Sequence, residues 1–370
     1  VGMLGTLNEQ RFRAVSDFAQ DHRNGRATER VFRKRRFRRV LGQRGPYFVQ
    51  GIHSARHRGY ESREHTPLTC DPSIHRACVW LSIRSIMRAV KIYLHSYTFR
   101  AHPFETAVQY ARRYAYDGIE LSLVHCRDSD LRDDLERCIG FANRYGMKVE
   151  CLDFRGNFIA ESEREVYQSV ELVEKRIKLC GAKGIRMMNG FVGFLAKDGA
   201  PYGENGSALA DDSHYQRAAD SLRYLGDVAE KHDVQLALEI HMNTPHDTVA
   251  ATCRLLEKTA HPRVGVTPDP GNMFATATAE RTPDALDRIA DQIVYFHFKN
   301  CANRNGFFDF SVPLQSGHVD TFAYLAKLRD FGFGGAVCIE YVGEGDPRAV
   351  VRSDIAYLRE CAALLNDGLA

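Results

Sequence analysis

From Met87 onward, short runs rich in Val, Ile, Leu and aromatic residues alternate with longer stretches in which apolar side chains recur every three or four positions. The short runs predict strands at Val90–Ser96, Gly118–Val124, Lys148–Phe154, Gly184–Asn189, Gln235–His241, Val264–Asp269, Ile293–Lys299 and Gly335–Val342. The longer stretches predict amphipathic helices. In Glu161–Cys180, for example, Val166, Val170, Val173, Ile177 and Cys180 fall on one face. Strand-helix alternation implies a parallel sheet. Eight such units in residues 87–370 suit a closed (β/α)8 TIM barrel better than an open doubly wound sheet. No G-x-G-x-x-G follows the first strand, which runs on into Tyr97-Thr98-Phe99-Arg100-Ala101-His102-Pro103, and no P-loop occurs.

Composition changes the picture at the N-terminus. The 370-residue chain is 44% hydrophobic and carries a net charge of +3, but that value averages two unlike segments. Residues 1–86 hold 17 Lys and Arg against 7 Asp and Glu, whereas residues 87–370 hold 33 against 40. The densest basic run is Arg33-Lys34-Arg35-Arg36-Phe37-Arg38-Arg39. Around it there is no sustained helical or strand period, no capping signature and no spaced Cys/His pair. The expectation is a disordered basic extension over residues 1–86, translated from an upstream start, with Met87 the functional beginning of a barrel domain, residues 87–370. A nucleic-acid-binding arm is the competing reading. The segment does not read as a secretory signal, and no apolar run approaches the about 18 residues of a membrane span. Ten cysteines, scattered singly without C-x-x-C spacing, fit a reducing compartment, with the cytoplasm as the expected location.

Because strand side chains alternate faces, each run divides into a set facing the helices and a set facing the barrel interior. In the fifth strand Leu236, Leu238 and Ile240 form the outer set, which turns Ala237, Glu239 and His241 inward. In the sixth, Val264 and Val266 face out while Gly265, Thr267 and Asp269 face in. The seventh directs Val294, Phe296 and Phe298 outward and Tyr295, His297 and Lys299 inward. The eighth directs Val337, Ile339 and Tyr341 outward and Ala336, Cys338 and Glu340 inward. Four consecutive strands therefore place an acid or a histidine near the C-terminal ends, where barrel enzymes build their sites.

Each of these residues alone has a bland reading. Asp269 sits in a turn sequence, a strand histidine is commonly a hydrogen-bonded core residue, and a lone glutamate pairs with a nearby Lys or Arg. Together, three carboxylates in one barrel mouth repel and desolvate one another unless a cation neutralises them. Oxygen ligands with one imidazole suit a divalent ion such as Mn2+, Mg2+ or Co2+, with Zn2+ also compatible.

The segments Tyr116-Asp117-Gly118-Ile119-Glu120-Leu121, Leu236-Ala237-Leu238-Glu239-Ile240-His241, Asp269-Pro270-Gly271-Asn272, His297-Phe298-Lys299-Asn300, Val312-Pro313-Leu314-Gln315-Ser316-Gly317-His318-Val319-Asp320 and Ile339-Glu340-Tyr341 occur in that order. As an ordered set they resemble the xylose-isomerase-like TIM barrels grouped as sugar phosphate isomerases/epimerases, over Met87 to about Leu365. The resemblance implies one divalent metal held by Glu239, Asp269, His297 and Glu340. The loop departs from the group's common Gly-Glu-Gly by reading Gln315-Ser316-Gly317.

The expected chemistry follows from the metal. A ketose or aldose chelated through its carbonyl and adjacent hydroxyl has its α-proton acidified, and the cation stabilises the enediolate that forms. Glu239 and Glu340, on strands five and eight, are the candidate catalytic acid/base pair. Access to both faces gives epimerisation, and proton return to the neighbouring carbon gives isomerisation. His241, Asn272, Lys299 and Arg304 are candidate substrate contacts, Arg304 by its distance along the loop only. Glu120 is a candidate partner of the metal ligands or of a substrate hydroxyl, with an internal salt bridge as its other reading. The expected partner is a small carbohydrate. A dehydratase of the inosose or dehydroshikimate type is the leading alternative. An AP-endonuclease-like DNA repair enzyme is less favoured: the strand ends Leu152-Asp153-Phe154 and Met188-Asn189 lack that group's additional histidines, Asn272 replaces a ligand His, and residues 87–370 are net acidic. A non-catalytic binding module would leave the aligned acids without a purpose. Substrate identity, phosphorylation and homo-oligomerisation stay open at this level.

Overall fold

The computed structural model describes residues 90–127, 131–277 and 280–366. The expected extension, residues 1–86, and the start at Met87 lie outside the described residues. The eight expected strands form as β1 (Ile92–His95), β2 (Gly118–Leu121), β3 (Val149–Arg155), β4 (Met187–Phe191), β5 (Gln235–Glu239), β6 (Val264–Thr267), β7 (Phe296–Phe298) and, after a hairpin of β8 (Ala302–Arg304) and β9 (Phe307–Asp309), β10 (Val337–Ile339). All pairings in the main sheet are parallel, in the order β6-β5-β4-β3-β2-β1-β10-β7. A parallel bridge between Val266 and Ile293, with Val294 N–H bonded to Val266 O at 3.1 Å, brings the two edges together into a nearly closed barrel. Between the strands run α1 (Phe104–Arg113), α2 (Leu131–Arg144), α3 (Glu163–Lys183), α4 (Asp212–Lys231), α5 (Val249–Thr259), α6 (Pro270–Thr276) and α7 (Thr321–Asp330), and α8 (Arg348–Asn366) closes the described chain.

Side-chain alternation builds the interior. Tyr93, Cys151, Ala237, Tyr295 and Cys338, each the inward residue of its strand, form one buried layer. Val294, expected to face outward, packs against this layer instead. Extended pairing in β7 begins only at Phe296, so simple alternation does not reach back to it, and Gly265 leaves room there: a Cβ on Gly265 would come within 2.6 Å of Val294. Two residues further along each of these strands comes the polar layer that forms the candidate site.

Three local differences from the sequence pattern have physical causes. β4 begins at Met187 rather than Gly184, because Gly184 caps α3 in the left-handed region (φ 78°), where glycine carries no Cβ penalty. β6 stops at Thr267, before Pro268, which has no N–H to donate to a ladder. Asp269 is consequently the N-cap of α6, accepting the Asn272 N–H at 3.0 Å with Pro270 in the first turn. The stretch Asn300–His318, expected as a plain loop, contains the β8–β9 hairpin, turned by Asn305 and Gly306 at φ 54° and 91°.

Asn300, just after β7, holds the long connection that follows it. Asn300 donates to Leu314 O (2.6 Å) and Val319 O (3.0 Å) and accepts from Cys301 N–H (2.8 Å) and Val319 N–H (2.9 Å). Gly317 approaches this amide so closely that a Cβ there would fall 2.0 Å from Asn300 Oδ1. No described helix is long and apolar enough to cross a membrane, and the eight cysteines among the described residues are all buried and unpaired.

Candidate functional site

At the C-terminal ends of the strands the inward side chains converge. Glu239 ends β5, Asp269 caps α6, His297 lies on β7, and Glu340 follows β10. One ligand atom from each of these four lies within 4.8 Å of the other three. His297 Nδ1 is 3.9 Å from both Glu239 Oε2 and Asp269 Oδ2. The side chains of Asp269 and His297 are fully closed off, whereas those of Glu239 and Glu340 are 8% and 10% exposed. The two glutamates are thus the members of the set open toward the mouth.

Lys299 lies within the same cluster. Its ammonium is 2.7 Å from Glu340 Oε2, 3.0 Å from Asp269 Oδ2 and 4.0 Å from Glu239 Oε1. Burial works against its charge, but the three carboxylates outweigh burial and keep it protonated. Burial likewise raises Glu340, yet Lys299, His95 and His297 together hold it well below the usual carboxylate range. Glu239 shows the opposite balance: burial raises it to about 7 against the pull of His297 and Lys299.

Asn272 donates its side-chain N–H to Glu239 Oε1 at 3.0 Å. Glu120, fully buried on β2, accepts from His297 Nε2 at 2.9 Å, and burial, which raises it, is outweighed by His297 and His95, which hold it ionised. This bond places a proton on His297 Nε2; burial lowers the imidazole, but Glu120 and Glu239 outweigh it and raise it to about 9, so Nδ1, which faces Glu239 and Asp269, carries a proton that a bound cation would displace. A carboxylate behind an imidazole is the usual way a metal-binding histidine is oriented. His241 hydrogen-bonds Met242 O through Nδ1 at 2.9 Å and meets Phe191 at a tilt (5.1 Å between ring centres) and Phe194 edge-on (5.8 Å); burial and the Lys299 charge push it down to about 4. Arg304 is not brought to the cluster. It sits on the β8–β9 hairpin, 64% exposed, in a 2.9 Å ion pair with Asp309, because the hairpin carries the segment away from the strand ends.

Three residues join the site that alternation on strands five to eight does not reach. His95 on β1 places Nε2 3.3 Å from Asp153 Oδ1 and 3.5 Å from Glu120 Oε1, with Nδ1 3.8 Å from Glu340 Oε1. Burial lowers His95, but Glu120, Asp153 and Glu340 outweigh it and raise it to about 10. Asp153 ends β3. Asn189 on β4 donates to Glu120 Oε1 (3.1 Å) and Glu239 Oε2 (3.3 Å). The same alternation, extended to Tyr93/His95, Cys151/Asp153 and Met187/Asn189, finds all three.

The donor set fits a divalent cation. It is three carboxylates and an imidazole, a combination suited to Mg2+, Mn2+ or Zn2+. His297 Nδ1 is buried with no hydrogen-bond partner, and Asp269 Oδ2 has the Lys299 ammonium beside it but no hydrogen bond of acceptable direction. Such buried polar atoms ordinarily have a partner.

Comparison with known proteins agrees with this architecture. Over 152 residues the chain is 30% identical to inosose dehydratase of Salmonella typhimurium, covering 37% of this chain and 49% of the relative, so the match spans about half the relative's length. It is 24% identical to 3-dehydroshikimate dehydratase of Bacillus anthracis over 253 residues (61% of this chain, 82% of the relative). It is also 24% identical to a probable L-ribulose-5-phosphate 3-epimerase of Mycoplasma pneumoniae over 265 residues (68% and 80%). Among solved structures, a xylose isomerase-like TIM barrel protein of Mycobacterium smegmatis in complex with magnesium superposes with a TM-score of 0.59 at 18% identity, covering 77% of this chain and 99% of that one. The IOLI protein with a binding zinc atom superposes with a TM-score of 0.58 at 16% identity (75% and 98%). The family model described as xylose isomerase-like TIM barrel matches residues 108–361, more than half of the sequence, and the chain belongs to that family.

Proposed function

We propose that the protein is a divalent-metal-dependent sugar or sugar phosphate isomerase/epimerase. The observation that carries this reading is the convergence of Glu239, Asp269, His297 Nδ1 and Glu340 at the barrel mouth, backed by Glu120. The cation, when bound, supplies Lewis acidity that makes the carbon next to a substrate carbonyl acidic. The protein's own groups do the rest. Glu239 and Glu340 reach the mouth from β5 and from the end of β10, on different sides of the cluster, so one can remove the α-proton while the other returns one. Lys299, fixed between Asp269 and Glu340, holds positive charge where negative charge would develop on the substrate oxygen. His241, kept neutral beside Phe191 and Phe194, offers Nε2 to a hydroxyl at the rim. Asn272 acts on the substrate through Glu239, to which its amide is committed.

A second reading, a dehydratase that expels a β-hydroxyl after the same proton abstraction, is favoured by the similarity to an inosose dehydratase and a dehydroshikimate dehydratase. A DNA-repair activity gains no support from the site, where Asn272 donates to Glu239 rather than offering a ligand nitrogen. Product analysis by NMR separates the first two. Manganese-loaded protein is incubated with a ketose panel, L-ribulose 5-phosphate, inosose and 3-dehydroshikimate. Inverted or positionally shifted carbonyl products support the isomerase/epimerase, and loss of water identifies a dehydratase. Conversion of none of these by protein that binds manganese would overturn both.

A further inference from the structure

We infer that Asn189 is a positioning residue that couples two of the proposed metal ligands, Glu239 on β5 and His297 on β7, through Glu120. The inference rests on the metal-site reading above and adds a role for a strand that contributes no ligand. Asn189 is buried on β4, with its side-chain nitrogen 3.1 Å from Glu120 Oε1, 3.3 Å from Glu239 Oε2 and 3.2 Å from His297 Nε2. An amide nitrogen has two hydrogens, so only two of these contacts are bonds. His297 Nε2 is 2.9 Å from Glu120 Oε2, and without its own hydrogen it would set a lone pair against a carboxylate oxygen. Nε2 therefore donates, and both Asn189 hydrogens go to the carboxylates. Turning the amide over would place its oxygen against two carboxylate oxygens, which fixes its orientation as well.

The result is a continuous chain, Glu239–Asn189–Glu120–His297, in which every link is a hydrogen bond to a carboxylate oxygen, and the two on the ionised Glu120 belong to the stronger, charge-assisted class. Asn272 holds the other oxygen of Glu239, so that carboxylate has an amide N–H on each side and its plane is set by two strand-end neighbours. Glu340 is held differently, by the Lys299 ammonium on its Oε2 at 2.7 Å, with His95 Nδ1 3.8 Å from its Oε1. Asn189 Oδ1 meanwhile has no hydrogen-bond partner. An unpaired buried acceptor is a cost, which is accounted for when the donor half of the amide is what the site needs.

The test is manganese affinity, read by electron paramagnetic resonance titration, with circular dichroism melting as the fold control. Wild type should bind Mn2+; Asn189→Ala and Glu120→Gln should each weaken binding about 10–100-fold, as outer partners of metal ligands do. In the double variant the losses should not add, because both changes break one chain. If wild type binds no Mn2+, the metal reading and this inference fall together. If wild type binds and Asn189→Ala melts lower but binds equally well, the residue is merely structural and only this inference falls. Strictly additive losses in the double variant would likewise overturn the coupling.

Discussion

Asp354→Asn should make the protein more stable, and only above pH 4. Asp354 is buried on α8 and accepts the Leu314 N–H at 3.0 Å, tying the connection after β7 to the last helix. Burial raises its pKa from 3.8 to about 7. Between those values the unfolded chain has released this proton while the folded protein keeps it, so stability falls as pH rises from about 4 to about 7 and is level above that. The window is about three pH units wide at about 1.4 kcal/mol each, which sets a ceiling of about 4 kcal/mol. Asparagine keeps an acceptor oxygen for Leu314 and has no proton to lose. Urea denaturation at pH 4 and pH 8 reads the difference: the variant should match wild type at pH 4 and exceed it by about 1–4 kcal/mol at pH 8. A variant equal to wild type at both pH values, or weaker at pH 8, would refute the account of Asp354 as an acid held neutral.

Gly190→Ala should cost at least about 2 kcal/mol in urea denaturation, because its Cβ would fall 1.9 Å from the Phe154 carbonyl oxygen on the paired strand; a loss under about 0.5 kcal/mol would contradict the β3–β4 register. Glu340→Gln should leave the protein folded, melting lower because the Lys299 ammonium loses its charged partner at 2.7 Å, and abolish hydrogen exchange between solvent and the substrate α-carbon, followed by NMR in D2O. Exchange at the wild-type rate would remove Glu340 from the acid/base pair.

The strands were legible because their interior is simple: one buried inward residue per strand stands below one polar residue, as in Cys151/Asp153, Ala237/Glu239, Tyr295/His297 and Cys338/Glu340. Asp269 was legible for a reason that differs from the geometry. Alternation points it inward, but Pro268 ends the strand and the residue reaches the cluster as a helix N-cap. Element boundaries near Gly184 and the Asn305-Gly306 turn carried readable signals of their own, a helix-capping glycine and a hairpin dipeptide, set against weak apolar patterns nearby. Distance along the chain could not place Arg304, since the hairpin it belongs to pairs it with Asp309. Nor can a periodic pattern show Asn189 reaching Glu120 and Glu239, because those contacts arise only when strands two, four and five close on one another.

The central claim is metal-dependent removal of a proton next to a carbonyl. It is tested most directly by following deuterium incorporation at the α-carbons of L-ribulose 5-phosphate, inosose and 3-dehydroshikimate in D2O, before chelation, after chelation, and after Mn2+ is restored. The account predicts incorporation into at least one of them that stops with the chelator and returns with the metal. Incorporation that continues undiminished in the chelated protein would contradict it.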